Sequence, residues 1–172
     1  MSSKSTLITD SNLQMFFFEH LRRFNQKFPH PLAEETLFYS SHVMNQFGHS
    51  SKFFDQKDNR IQEKVLGLKL LEISGLPREK QKYELKDIAE TSLLICGFFA
   101  ESLNRKIIDI HYYENIGQKA YEQLNHFYPN HYDVPAFYKM MALKFRDVTM
   151  LMKLVASECD HNSDREKAWL IG

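Results

Sequence analysis

Eight histidines, 22 acidic side chains and two cysteines give this 172-residue chain enough ligands and nucleophiles for several chemistries, so spacing has to decide among them. A carboxylate-bridged di-metal site in a helical bundle needs Glu-x-x-His pairs on two helices, because that spacing turns both side chains inward. Only Glu158 and His161 have it, alone in a polar stretch, and neither His-x-x-x-His nor His-Glu-x-x-His occurs. A metal site needs several convergent ligands, so none is expected. Haem in a Phe-rich helical domain would use His42 or His111 as axial ligand. A histidine on a helix flank is more often a hydrogen-bonded surface group, and no cofactor is expected.

Nucleophilic catalysis requires a Ser or Cys with a base held beside it. Cys96 lies in an apolar run, the setting of an inert core thiol, and Cys159 lies in a polar one. Ser102 has Glu101 and His111 near it in sequence but lacks the Gly-x-Ser-x-Gly elbow. No Gly-x-Gly occurs, so no glycine-rich phosphate loop is encoded. Hydrolase, kinase and dehydrogenase readings find nothing specific to stand on.

The stretch from Glu101 to Tyr113 differs in kind. Glu101, Arg105, Lys106, Asp109, Tyr112 and Tyr113 crowd the exit of the most apolar helix and the start of the next. Helix-end electrostatics explains part of this: cations answer a C-terminal dipole, Asp109 suits an N-cap, and Glu101 can pair with Arg105 at i,i+4. The sharper reading is a recognition surface, because Arg and Tyr offer large area and directed hydrogen bonds. Glu35, in the first turn of an earlier helix, joins that set. At the other end, the only Trp, Trp169, and its neighbour Leu170 follow a hydrophilic spacer and could dock on a partner.

The phrase Gly97-Phe-Phe-Ala-Glu-Ser-Leu-x-Arg-Lys-x-x-Asp-x-x-Tyr-Tyr-x-x-Ile-Gly-x-x-Ala-Tyr121, with Leu32-Ala-Glu-Glu-Thr-Leu-Phe-Tyr39 upstream, resembles a group of uncharacterised bacterial proteins. The resemblance covers roughly residues 30–150. It implies a bacterial cytosolic protein and brings no activity with it.

These residues need helices to position them. Fourteen Phe and eight Tyr against six Gly and five Pro suit long packed helices better than a turn-rich sandwich. Leu13, Phe17, Leu21, Phe24 and Phe28 lie on one face of a first helix that begins at a Ser11–Gln14 capping box and ends at Pro29. Phe16, Phe17 and Phe18 there are expected to pack on the bundle rather than on a membrane surface. A second helix starts at Pro31, with Leu32, Tyr39, Val43 and Phe47 as its stripe and Gly48 as its left-handed end. A third is predicted over about 58–74, with Ile61, Val65, Leu68 and Leu71 inward and Gly75 and Pro77 as stops.

The fourth helix, buried over about 83–104, has Leu85, Ile88, Ser92, Ile95, Phe99 and Ser102 as its seam, while Leu93, Leu94, Cys96 and Phe98 fill its other sides. A helix apolar all round belongs at the centre of a bundle. Gly97 and, on the fifth helix, Gly117 are expected where a neighbouring helix approaches closely. That fifth helix is capped by Asp109 and carries Ile116, Ala120 and Leu124. A turn around 129–135 follows, and Asp133 as cap with Pro135 in the first turn starts the last helix. Its face is Phe137, Met141, Phe145, Val148, Met152 and Val155. Alternation never persists, so no strand is predicted.

The expected fold is all-α, a single-domain bundle of about six helices over 11–157. Residues 1–10 form a disordered lead, and 158–172 a polar tail with an apolar end. Basic and acidic residues balance at 22 each, and no like-charge block or basic stripe offers itself to phosphates. No apolar run reaches the ~18–20 residues of a membrane span, the N-terminus has no signal-like apolar segment, and two unpaired cysteines fit a reducing compartment. The chain is therefore read as a cytoplasmic, non-enzymatic module that binds another protein, with a homodimer also open. The alternative is a binder of, or enzyme for, a small anionic nucleotide-like ligand, with an inter-helix pocket near Arg105 and Lys106.

Overall fold

The computed structural model describes residues 10–46, 65–100 and 109–169. Among the described residues, seven α-helices pack into one bundle: α1 (Asp10–Asn25), α2 (Glu34–Gln46), α3 (Val65–Glu72), α4 (Arg78–Phe98), α5 (Ile110–Phe127), α6 (Phe137–Leu143) and α7 (Phe145–Trp169). No described helix is long and apolar enough to cross a membrane.

Helix α4 is the axle. Leu85, Ile88, Ala89, Ser92, Leu93, Leu94, Ile95 and Cys96 are all buried, and α2, α3, α5 and α7 each pack on it. The predicted central position is therefore borne out, though the helix ends at Phe98 and Ser102 lies outside the described residues. Its two tightest crossings occur at glycines. A Cβ built on Gly97 would stand 2.8 Å from Met152 of α7, and one on Gly117 would stand 2.5 Å from the Phe145 ring and 2.9 Å from Ser92 Cβ. Both glycines are where backbones must come close.

Helix α1 packs on α2 and α7 through Phe17 and Leu21, and Arg22 and Arg23 face outward. Arg23 and His20 both reach Glu158 of α7, the latter at 3.7 Å. After α1 the chain turns on one amide. Asn25 accepts from Leu32 N at 2.8 Å and donates to Leu32 O at 3.0 Å, so α2 starts at Glu34 rather than at Pro31. The inward side of α2 carries Thr36, Ser40 and Ser41 beside Leu37, Tyr39, Val43 and Met44. The two serine hydroxyls bond Thr36 O and Phe38 O, which lets small polar residues sit in the core without orphaned groups. Phe47 and Gly48 lie outside the described residues.

Helix α3 departs from expectation. Leu68 and Leu71, predicted inward, are 57% and 77% exposed, while Leu66 and Ile73 are buried. The sequence Val-Leu-Gly-Leu-Lys-Leu-Leu is apolar on nearly every side, so its period cannot choose a face. A short 3-10 turn, Ile73–Gly75, ends it, and no described glycine adopts positive φ.

Asp109 caps α5 as expected, its carboxylate accepting from His111 N at 3.4 Å. Two departures follow. Residues 130–131 and 134–135 pair as a two-residue antiparallel hairpin, where no strand was predicted. Asp133 and Pro135 belong to that hairpin and do not start a helix; α6 begins at Phe137 behind Ala136. The last helix is also two, broken at Lys144, yet its predicted face holds: Phe137, Met141, Phe145, Val148, Met152 and Val155 are all buried. The second of the two helices continues to Trp169.

Gly117→Ala should lower stability by about 1–3 kcal/mol, the usual cost of an overpacked core. Denaturant unfolding with an unchanged slope and an earlier midpoint checks it.

Candidate functional site

Two of the six side chains expected over 101–113 stand together at the start of α5 and remain available. Asp109 is exposed and acts as the cap, and Tyr112 is 39% exposed. Tyr113 points the other way and is buried, its ring edge-on to Tyr112 at 5.4 Å. Successive helix positions turn by about 100°, so two adjacent phenols cannot share one surface. Glu101, Arg105 and Lys106 lie outside the described residues, as does Leu170. Trp169 is the last residue of α7, and its side chain is also outside the description. Glu35 is exposed in the first turn of α2, beside the positive end of that helix's dipole.

Around Tyr112 the structure builds something the sequence did not show. A groove of about 600 Å³ runs between α3 and α5. Gly67, Leu68, Leu70 and Leu71 form one wall, and Tyr112, Asn115, Ile116 and Lys119 the other. The Tyr112 hydroxyl lies over Gly67, 2.2 Å from where a Cβ would be, so only glycine lets the phenol close that end of the wall. Lys119 makes no ion pair among the described residues and stands exposed at the rim. The floor is apolar and the rim carries a phenol, an amide and an ammonium.

On the far side of α5, a buried carboxylate ties that helix to α7. Glu114 Oε2 accepts from His111 Nδ1 and from Arg146 Nε of α7, each at 3.1 Å. Close by, burial pushes the Cys96 thiol up to about 12, with Glu114 adding to the effect and Lys153 opposing it. That thiol is inert, as its apolar setting predicted. His42 and His111 are exposed, and His111 is engaged by Glu114. Among the described residues no group of three His, Cys, Asp or Glu side chains could hold a metal ion.

A third cluster was missed altogether. Glu90, 7% exposed, sits midway along α4. Tyr39 donates to its Oε1 at 2.9 Å and Gln46 to its Oε2 at 3.2 Å, while Tyr121 donates to the Tyr39 hydroxyl at 3.4 Å. Lys86 Nζ approaches Oε1 at 3.9 Å from the half-exposed side. Burial first raises both Tyr39 and Tyr121 well above the ordinary phenol value, with Tyr121 and Glu90 adding to it for Tyr39 and Glu90 for Tyr121. These phenols stay protonated and serve as donors.

The 130–135 hairpin closes over this cluster. Its His131 ring stacks on Tyr138 at 5.0 Å and meets Tyr39 edge-on at 6.1 Å, and Tyr132 packs edge-on to Phe38 and Phe137. Tyr132, Asp133 and Ala136 have φ of 51°, 57° and 54°. None is glycine, and the left-handed region costs an L-residue roughly 1–2 kcal/mol. Ring packing and the Ala136 N to Pro129 O bond of 2.7 Å hold that strain in place. Glu90 stands where the charged first half of α4 gives way to its apolar second half, and a carboxylate at that boundary was the signal available in the sequence.

With this geometry in view, comparison with family models, with curated proteins and with solved structures gives no match in any of the three. The likeness of residues 97–121 to a bacterial group gains no support from them.

Tyr39→Phe should cost roughly 1–3 kcal/mol, because it strips a donor from a buried carboxylate and leaves the Tyr121 hydroxyl without its acceptor. Thermal and denaturant unfolding of the variant measure it.

Proposed function

We propose that the chain is a protein-binding module, an adaptor or regulator in the bacterial cytoplasm, and that the groove between α3 and α5 is its docking site. The observation that supports this most is Leu71 at 77% and Leu68 at 57% exposure beside an apolar groove of about 600 Å³. A folded monomer gains nothing from leaving such leucines in water, and contiguous apolar surface of this kind marks interaction sites. The groove is open between two helices, which suits an amphipathic helix that sets a few apolar anchors into it. Lys119 at the rim favours an acidic residue on that partner helix. Tyr112, half-exposed with its hydroxyl fixed over Gly67, is the aromatic anchor such sites use. A second copy of this chain is the other protein such a surface could bind.

A second reading keeps the site and changes the occupant. A volume of this size, apolar with a few convergent polar groups, also fits a small ligand, and Lys119 would meet its anionic group. Arg105 and Lys106, first named for that role, contribute no geometry because they lie outside the described residues.

Leu71→Asp and Leu68→Asp should leave helical content and melting temperature unchanged, since both side chains are more than half exposed, and should abolish capture of the protein retained by the wild type. Equal capture by both variants would remove the groove from consideration. A nucleotide that raises the wild-type melting temperature, and fails to do so in Lys119→Gln, would favour the small-ligand reading instead.

A further inference from the structure

We propose that the hairpin over residues 130–135 is an acid-released latch, held shut by the neutral His131 ring and opened when that ring takes a proton, which uncovers Glu90 and Tyr39. The proposal is independent of the groove. It starts from the backbone. Tyr132, Asp133 and Ala136 all carry positive φ within five residues, so the hairpin is held in a conformation that its own residues disfavour. What holds it is mostly aromatic packing, and His131 is central to that packing. The ring touches Tyr39 of α2, Phe137 and Tyr138 of α6, and Tyr132 next to it. Histidine is the side chain whose charge changes in the mildly acidic range.

The groups facing His131 decide the sign. From α4 come Lys86 and Glu90, from α2 Tyr39, from α6 Tyr138, and from the hairpin itself Tyr132 and Asp133. The phenols stay neutral, because burial raises Tyr39, Tyr132 and Tyr138 alike. Glu90 could attract an imidazolium, but its charge is already offset by Lys86, whose Nζ lies 3.9 Å from Oε1. A proton on His131 therefore adds a second cation near Lys86 in a place that water only partly reaches. Burial first and Lys86 second hold the imidazole below its ordinary value. The closed hairpin is at full strength above about pH 6.5, where the released ring is neutral too, and weakens as pH falls below that.

The elements beneath do not share the strain. Tyr39, Glu90 and Tyr121 sit on α2, α4 and α5, and α4 packs on the other two without the hairpin. Opening is thus local, a low-energy unit on a stable base.

Peptide-resolved hydrogen exchange of the whole chain, corrected for the intrinsic effect of pH, tests this at neutrality and at about pH 5, below the imidazole range. Protection over residues 129–140 should fall several-fold on acidification while that of α4 and α5 holds. In His131→Phe, which keeps a ring but cannot titrate, protection should be the same at both pH values. In Lys86→Met, which removes the facing cation, the loss should need a lower pH. Unchanged protection in the wild type, an equal acid loss in His131→Phe, or a loss spread evenly through α4 and α5 would each overturn the latch.

Discussion

The structure depends on covering one helix on every side. Residues 92–97 of α4 are buried one after another, more than a full turn, and such a rod leaves water only if partners lie against all of its faces. Helices α2, α3, α5 and α7 are those partners. Four neighbours around one axis must come close, and Gly97 and Gly117 are where α7 and α5 do so. The bundle is a consequence of that enclosure.

Enclosure also explains where the polar groups went. Glu90 and Glu114 are both buried carboxylates, and each is satisfied by side chains from other helices. Removing a charge from water is costly unless donors replace the lost hydration. The donors therefore fix which helices can lie beside which: Tyr39 and Gln46 bring α2 to α4, and Arg146 brings α7 to α5. Apolar contact sets the compactness, and these two carboxylates set the arrangement.

Much of this was legible in the sequence where one property dominated. The all-round apolarity of 93–96 marked the centre, Asp109 marked a helix start, and the two glycines marked close crossings. Legibility failed where two readings used the same residue types. In α3, leucines on most sides left its orientation to the surfaces of α4 and α5, so Leu68 and Leu71 came out facing water. Asp133-Val-Pro135 has the composition of a helix start and of a hairpin, and the hairpin formed because His131 and Tyr132 could pack on rings from α2 and α6. Of the expected site, Tyr112 was found beside a groove that no local pattern encodes, since half of its wall comes from residues over 40 positions away. Pairing between distant elements is the information a linear reading lacks.

The two thiols occupy opposite situations. Cys96 has no accessible surface and is pushed up to about 12, so in the closed molecule it offers almost no thiolate to a reagent. Cys159 lies partly open near the middle of α7. An alkylating agent will therefore mark Cys159 first and Cys96 only when α4 parts from its neighbours, which makes the inner sulfur a built-in clock for the breathing of the bundle.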